Sequence, residues 1–153
     1  MAHNIDEIDR RILRLLQVDA TQSIDTLAER VGLSRNACWR RMRQMDQQGI
    51  IRARVAVVEP HAVGLGLMVL VLVRTNRHDP AWLDSFRKAI ALFPEIVGAH
   101  RMAGDLDYVL RVRVSDVAGY DAFYQRFITK VDLSDVSASF VMEDLRDTTA
   151  LPI

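Results

Sequence analysis

Cysteine is almost absent. Cys38 is the single one among 153 residues, which excludes an intrachain disulfide framework and a multi-thiolate zinc site. Histidine is scarce, and His3, His61, His78 and His100 are scattered without metal-ligand spacing. No Gly-x-Ser-x-Gly, Walker loop or dinucleotide fingerprint occurs. Asp105 and Asp107 form a carboxylate pair, but with no base or metal partner near them in the pattern they are weak grounds for an enzyme. Long hydrophobic runs are missing too: Ala62 to Val73 gives twelve residues before Arg74, against the roughly twenty that a membrane span needs. The Met1–Glu7 stretch is polar and acidic, unlike a secretory signal. Repeats and low-complexity tracts are lacking. These absences point to a protein that is not an enzyme, holds no metal or cofactor, avoids membranes and resides in the cytoplasm.

What is present is a core-forming composition with sorted charge. Half the residues are hydrophobic, enough for one large domain or two small ones. The 20 cations and 20 anions balance overall. Residues 1–58, however, hold ten Lys/Arg against seven Asp/Glu, and residues 59–153 hold ten against thirteen. Within residues 30–54 seven arginines face a single acid, Asp46. Segregation of this kind suggests two modules with different partners.

The first 50 residues read as three helices. Ile5, Ile8, Ile12, Leu15 and Leu16 recur at helical spacing, and Asn4 with Glu7 three residues on resembles a capping box. Ser23 caps a short helix carrying Ile24, Leu27, Ala28 and Val31, which Gly32 ends. Ser34 caps a third helix running to about Gln48, closed by Gly49. Ile50–Val58 is rich in β-branched residues and is expected to be an extended strand, followed by turn chemistry at Glu59-Pro60-His61. The boundary between modules falls near residue 60: a helix-turn-helix domain over 1–50, a strand and linker over 51–64, and a second domain over 65–153.

In the second domain Leu67–Thr75, Ile96–Ala103, Asp107–Val114 and Val136–Leu145 read as strands, the last with Val136, Ala138, Phe140 and Met142 alternating. Pro80–Phe93 reads as a helix with Leu83, Phe86, Ile90 and Phe93 on one side. Asp116–Val131 reads as another, with Val117, Tyr120, Tyr124, Phe127 and Ile128 inward. The order βαββαβ is the ferredoxin-like split arrangement, so the class is α+β: a winged helix-turn-helix, then a ferredoxin-like domain. Its helices cover one sheet face only. The first strand is apolar on both faces, which argues that a second copy covers the other.

Projected at 100° per residue, the third helix places Cys38, Met42 and Met45 in a narrow buried wedge. Opposite lie Asn36, Arg40, Arg43, Gln44 and Gln47, with Arg35 and Arg41 on the flanks. Arg pairs bidentately with guanine and Asn or Gln with adenine, and Ser34 at the helix start suits a phosphate. The alternative is a solvated surface helix, but the interspersed acids that such a helix carries are missing apart from Asp46, and Arg52 and Arg54 extend the same patch. Double-stranded DNA is therefore the expected partner. Trp39 lies roughly 90° from the buried wedge and is expected to pack against the first helix. Cys38 reads as a small buried hydrophobe.

Three segments, Ile8-Asp9-Arg10-Arg11-Ile12-Leu13, Leu27–Ser34 and Cys38-Trp39-Arg40-Arg41-Met42, resemble the DNA-binding half of the leucine-responsive regulator (Lrp/AsnC, feast/famine) family. Gly104-Asp105-Leu106-Asp107-Tyr108 and Ser139-Phe140-Val141-Met142-Glu143 resemble its second half. The closing Thr148–Ile153 and the Cys-Trp-Arg-Arg run are similar to the branch that controls amino-acid catabolism. The resemblance implies a transcriptional regulator that binds DNA as a dimer, often assembles to an octamer through its ferredoxin-like (RAM) domain, and takes an amino-acid effector between dimers. It implies effector contacts at Met102, Gly104, Asp105, Leu106, Asp107 and Tyr108, with Ser137 and Ser139 contributing. Asp105 or Asp107 would accept from the ammonium and backbone N–H groups would hold the carboxylate. Read without the resemblance, the same residues make a tight turn between two strands. Arg35-Asn36-Ala37 departs from the prolines often found there in the family, so base preferences do not carry over. The alternative function is a freestanding amino-acid-binding regulatory module without specific DNA recognition.

Overall fold

The computed structural model describes residues 5–77 and 79–153. The chain forms two compact units: one runs through Ala56 and includes Arg146–Ile153, and the other is Val57–Leu145. No helix among the described residues is long and apolar enough to cross a membrane.

The first unit is built from α1 (Glu7–Val18), α2 (Ile24–Val31) and α3 (Arg35–Gln47). Asn4 lies outside the described residues, as do His3 and His78. The N-cap of α1 is instead Asp6, whose carboxylate accepts from the Asp9 N–H at 2.9 Å while Asp9 accepts from the Asp6 N–H at 3.2 Å. Two acids capping reciprocally satisfy two otherwise orphaned donors and suit the positive end of the helix dipole. Ser23 and Ser34 cap α2 and α3 as their positions require, with Ser34 Oγ accepting from Ala37 N–H at 3.3 Å. Between them Gly32 takes φ +73, a left-handed conformation that glycine adopts without strain, and turns α3 across α2. Ile12, Leu13, Leu27, Ala28, Val31, Cys38 and Met45 fill the small core. Leu13, which the α1 stripe omitted, is among them.

Ile50–Val58 does not form the expected strand. No strand among the described residues pairs with it: Ile50 and Ile51 pack half-buried on the helical core, while Val55 and Val57 stay in water at 77% and 81% exposure. Among the described residues the first unit therefore contains helices only, without a paired wing. The chain end returns to it: Leu151 N–H donates to Gln17 Oε1 at 2.6 Å, Gln17 Nε2 donates to the Leu151 carbonyl at 3.2 Å, Arg14 donates to the Ile153 carbonyl, and Ile153 packs on the helical core.

The second unit has β1 (Leu67–Arg74), α4 (Pro80–Leu92), β2 (Ile96–Arg101), β3 (Tyr108–Val114), α5 (Val117–Ile128) and β4 (Asp135–Phe140) in an antiparallel sheet of order β2-β3-β1-β4. Val69, Val71 and Val73 of β1 and Leu110, Val112 and Val114 of β3 alternate inward against both helices. Trp82, Phe86, Phe93, Phe123 and Phe127 interlock with Tyr108 over them; Phe86 and Tyr108 approach to 4.7 Å between ring centroids, and the Phe123 and Phe127 rings stack at 5.5 Å. Trp82 satisfies its indole N–H on the Asp132 carbonyl at 2.8 Å.

Three details differ from the sequence pattern. On α5 the buried residues are Tyr120, Phe123 and Phe127, while Val117 and Ile128 at its two ends are exposed. On α4 Trp82 and Ala89 are buried, and Leu83 and Ile90 are only half-buried. β4 ends at Phe140 opposite Val69, with one further backbone hydrogen bond from Val141 N–H to the Met68 carbonyl at 3.0 Å, and Met142 is left 93% exposed. The helix-free sheet face carries Leu70, Leu72, Val109, Ser137 and Ser139, by register and alternation.

Candidate nucleic-acid interface and effector loop

The burial of Cys38 and Met45 fixes how α3 is rotated. Burial also pushes the Cys38 thiol above its ordinary value, which keeps it protonated and inert. With that side dry, Ser34, Arg35, Asn36, Arg40, Arg43, Gln44 and Gln47 are all exposed. Arg35 has a loose pairing with Asp25 at 3.5 Å. Among the described residues Arg40 and Arg43 face no carboxylate, and the Asn36, Gln44 and Gln47 amides have no side-chain partner. The lone acid of the patch, Asp46, is held by Arg54 at 3.1 Å, leaving Arg52 to extend the cationic surface.

Arg41 is placed differently. Its Nη1 reaches Asp6 Oδ2 at 2.7 Å and Asp9 Oδ1 at 2.9 Å, tying α3 to the cap of α1. Those two carboxylates raise its pKa further, so it is a permanent cation spent within the unit. The Asp9 backbone N–H, with the Arg41 guanidinium second, holds Asp6 below the usual carboxylate range. Of the eight side chains that the sequence nominated on this helix and its cap, Arg41 is the one turned inward.

Trp39 also departs from expectation. It does not join the core with the first helix but stands 52% exposed, with the Arg43 guanidinium over its ring at 5.1 Å from the centroid. Ser34, Asn36, Ala37, Trp39 and Arg40 together line a shallow surface hollow of about 450 Å³. The clue in the sequence was the same 90° offset: a residue so placed is free to turn either way.

In the second unit the β2–β3 connection runs from Met102 to Asp107 and closes on itself, Met102 N–H donating to the Asp107 carbonyl at 2.8 Å. Gly104 sits at φ +118, which an L side chain rarely adopts. Arg74 at the end of β1 fastens the loop, donating from Nε to the Asp105 carbonyl and from Nη1 to Asp135, each at 2.9 Å. The two acids differ. The Asp107 carboxylate accepts from Thr75 N–H at 2.8 Å and serves the loop itself, whereas the exposed Asp105 carboxylate has no partner among the described residues. Leu106 is half-buried, Met102 exposed, and the Tyr108 ring lies in the aromatic core rather than toward the loop. Ser137 and Ser139 pair with Leu72 and Leu70, so β1 separates them from the loop strands. Among the described residues no group of three His, Cys, Asp or Glu converges to hold a metal.

A helical module that turns unpaired arginines and amides outward, followed by a ferredoxin-like domain with a fastened polar loop, defines a class: DNA-binding regulators of the helix-turn-helix type with a separate ligand-binding domain. Known proteins narrow it. Residues 5–46 match the AsnC-type helix-turn-helix domain and residues 68–151 the Lrp/AsnC ligand binding domain. The chain is 44% identical over 150 residues to the DNA-binding transcriptional activator DecR of Escherichia coli, covering 97% of this chain and 99% of that protein. It is 42% identical to the glutamate uptake regulatory protein of Zymomonas mobilis, over all of this chain and 93% of the other. A transcriptional regulator of Neisseria meningitidis, solved as its complex with L-methionine, superposes with a TM-score of 0.92 at 29% identity, 97% of each chain being covered. The chain belongs to the Lrp/AsnC family: it is a DNA-binding transcriptional regulator and not an enzyme.

Proposed function

We propose that this regulator acts on genes of amino-acid metabolism, within the catabolic branch of the family, by reading duplex DNA with α3 and sensing a small amino acid at the Met102–Asp107 loop. The observation that carries the reading is the split among the α3 arginines: Arg41 is consumed in orienting the helix, while Arg40 and Arg43 stand outward without carboxylate partners among the described residues. An oriented helix with free guanidinium groups suits the major groove, where bidentate donors distinguish guanine. Ser34, Asn36, Gln44 and Gln47 complete the reading face, and Arg35 is a flanking phosphate contact.

On the loop, Asp105 is the acceptor for the effector's ammonium, because Asp107 is already engaged by Thr75. Gly104 brings bare backbone near the ligand, and Met102 and Leu106 offer it apolar contact. Tyr108 and the β4 serines support this site indirectly. The apolar stripe of Leu70 and Leu72 on the helix-free sheet face suits pairing with a second copy, and such dimers, assembling to an octamer in the cytoplasm, would place the effector between them.

The test is a titration of the full-length protein against duplex fragments of its own genome, at two salt concentrations, with each of the twenty amino acids added in turn. Affinity should fall with salt, the log–log slope being about −0.9 per phosphate neutralised, and one amino acid should shift the affinity. Asp105→Ala should lose that shift while the protein still retards the fragment. A flat salt response with intact amino-acid binding would instead favour a regulatory module without DNA recognition. No response to any amino acid would remove the effector.

A further inference from the structure

Trp39 is the largest apolar side chain on α3, and the helical core leaves it half exposed beside the arginines. We propose that Trp39 and Arg43 form one base-reading unit: the indole packs on the 5-methyl group of a thymine, and the guanidinium stacked on it pairs with a neighbouring guanine. The proposal rests on α3 being the DNA-reading helix and names what part of it reads.

Three observations carry it. Arg43 follows Trp39 by one helical turn, the spacing at which side chains meet, and its guanidinium lies 5.1 Å from the ring centroid. A guanidinium held against an aromatic face loses rotamers but keeps its donor edge free, the condition for a bidentate pair with guanine O6 and N7. Second, Arg43 has no carboxylate, and the Trp39 indole N–H no acceptor, among the described residues, so no described group competes for either. Third, Trp39 shares its hollow with Ser34, Asn36 and Arg40, so the ring opens onto the polar reading face rather than a separate apolar patch. In the major groove the apolar group on a base edge is the thymine methyl, the feature an indole would gain by touching. The surrounding surface is cationic, with Asp46 already paired to Arg54, which favours a polyanion over an apolar protein partner.

The experiment selects duplexes from a random library with full-length wild type, then replaces each thymine of the selected sequence singly by deoxyuridine, which lacks the methyl. For wild type, one replacement next to a guanine should weaken binding about fourfold, the value of one buried methyl. Trp39→Ala should be insensitive to that replacement, should lose preference at that step in its own selection, and should keep the wild-type salt slope, since no phosphate contact is removed. Arg43→Lys should lose the adjacent guanine preference by about tenfold. Should Trp39→Ala fold poorly, the deoxyuridine series on wild type and the Arg43→Lys selection still decide. Insensitivity of wild type to every deoxyuridine overturns the proposal. So does a Trp39→Ala selection matching wild type with uniformly weaker binding, which would make the ring a backbone contact or a mere support of α3. If wild type enriches no sequence, the DNA-reading assignment of α3 fails as well; enrichment without methyl sensitivity sinks the Trp39 unit alone.

Discussion

The two units bury themselves by opposite means. Val57–Leu145 is held by area: seven aromatic side chains of α4, α5 and β3 interlock over a valine-rich sheet. The helical unit has a core of small aliphatic, sulfur and leucine side chains, without an aromatic ring among its buried members. It is finished by directional contacts, namely the Asp6–Asp9 capping box, the Arg41 clamp across it and the returning chain end. Arg40 and Arg43 stand outward from α3, and polar anchors at its other side fix the pose of that helix. Geometry, not bulk, is what that module must secure.

This contrast can be broken from the stronger side first. Phe127→Ala should cost the second unit about 3–5 kcal/mol, the usual toll for a buried phenylalanine, whereas Ile12→Val in the helical unit should cost about 0.5–1.5 kcal/mol. The two tryptophans separate the units: Trp82 is buried among the aromatics of the second, and Trp39 stands on α3 of the first. Urea unfolding followed by Trp82 fluorescence in a Trp39→Phe background should register the Phe127→Ala loss. A Phe127→Ala loss well below about 3 kcal/mol would contradict the interlocked aromatic core as the mainstay of the second unit.

A gentler probe is acid. The Asp9 N–H and the Arg41 guanidinium depress the Asp6 pKa in the folded chain below its ordinary value of 3.8. A depressed carboxylate contributes stability that is complete above its unfolded pKa and is lost as pH falls through the folded one. The helical unit should therefore weaken below about pH 4 more in wild type than in Asp6→Asn, as followed by helical circular dichroism. Equal acid sensitivity of the two would show that the cap and clamp add nothing to stability.

Local pattern made much of this molecule readable before any coordinates. Ser23, Ser34, Gly32 and Gly49 punctuate the helices where capping chemistry requires, and the valine alternation of β1 and β3 fixes the sheet's inward face. What escaped depends on residues remote in sequence. The 100° projection shows that Arg41 is on a flank, but not that Asp6 and Asp9, some thirty residues earlier, come up to meet it. It leaves Trp39 equally free to turn in or out. Ile50–Val58 has strand-forming residues yet no partner strand among the described residues, and β-propensity alone cannot supply one. The chain end docks on α1 across more than 130 residues through Gln17, a contact that no periodicity announces. In the Met102–Asp107 loop the residue types were visible, but the engagement of Asp107 by Thr75, which leaves the Asp105 carboxylate without a partner among the described residues, required the register of β1 against β3.

The division of labour on α3 can be tested with one pair of variants. Arg40→Ala and Arg41→Ala remove the same charge from adjacent positions, and both can be titrated against a selected duplex alongside a urea unfolding curve. Arg40→Ala should weaken DNA binding by roughly tenfold or more with an unchanged unfolding midpoint, while Arg41→Ala should lower the midpoint of the helical unit, any loss in affinity following that loss of stability. Wild-type affinity in Arg40→Ala, or equal affinity losses from two equally stable variants, would contradict the assignment of the outward arginine face to DNA.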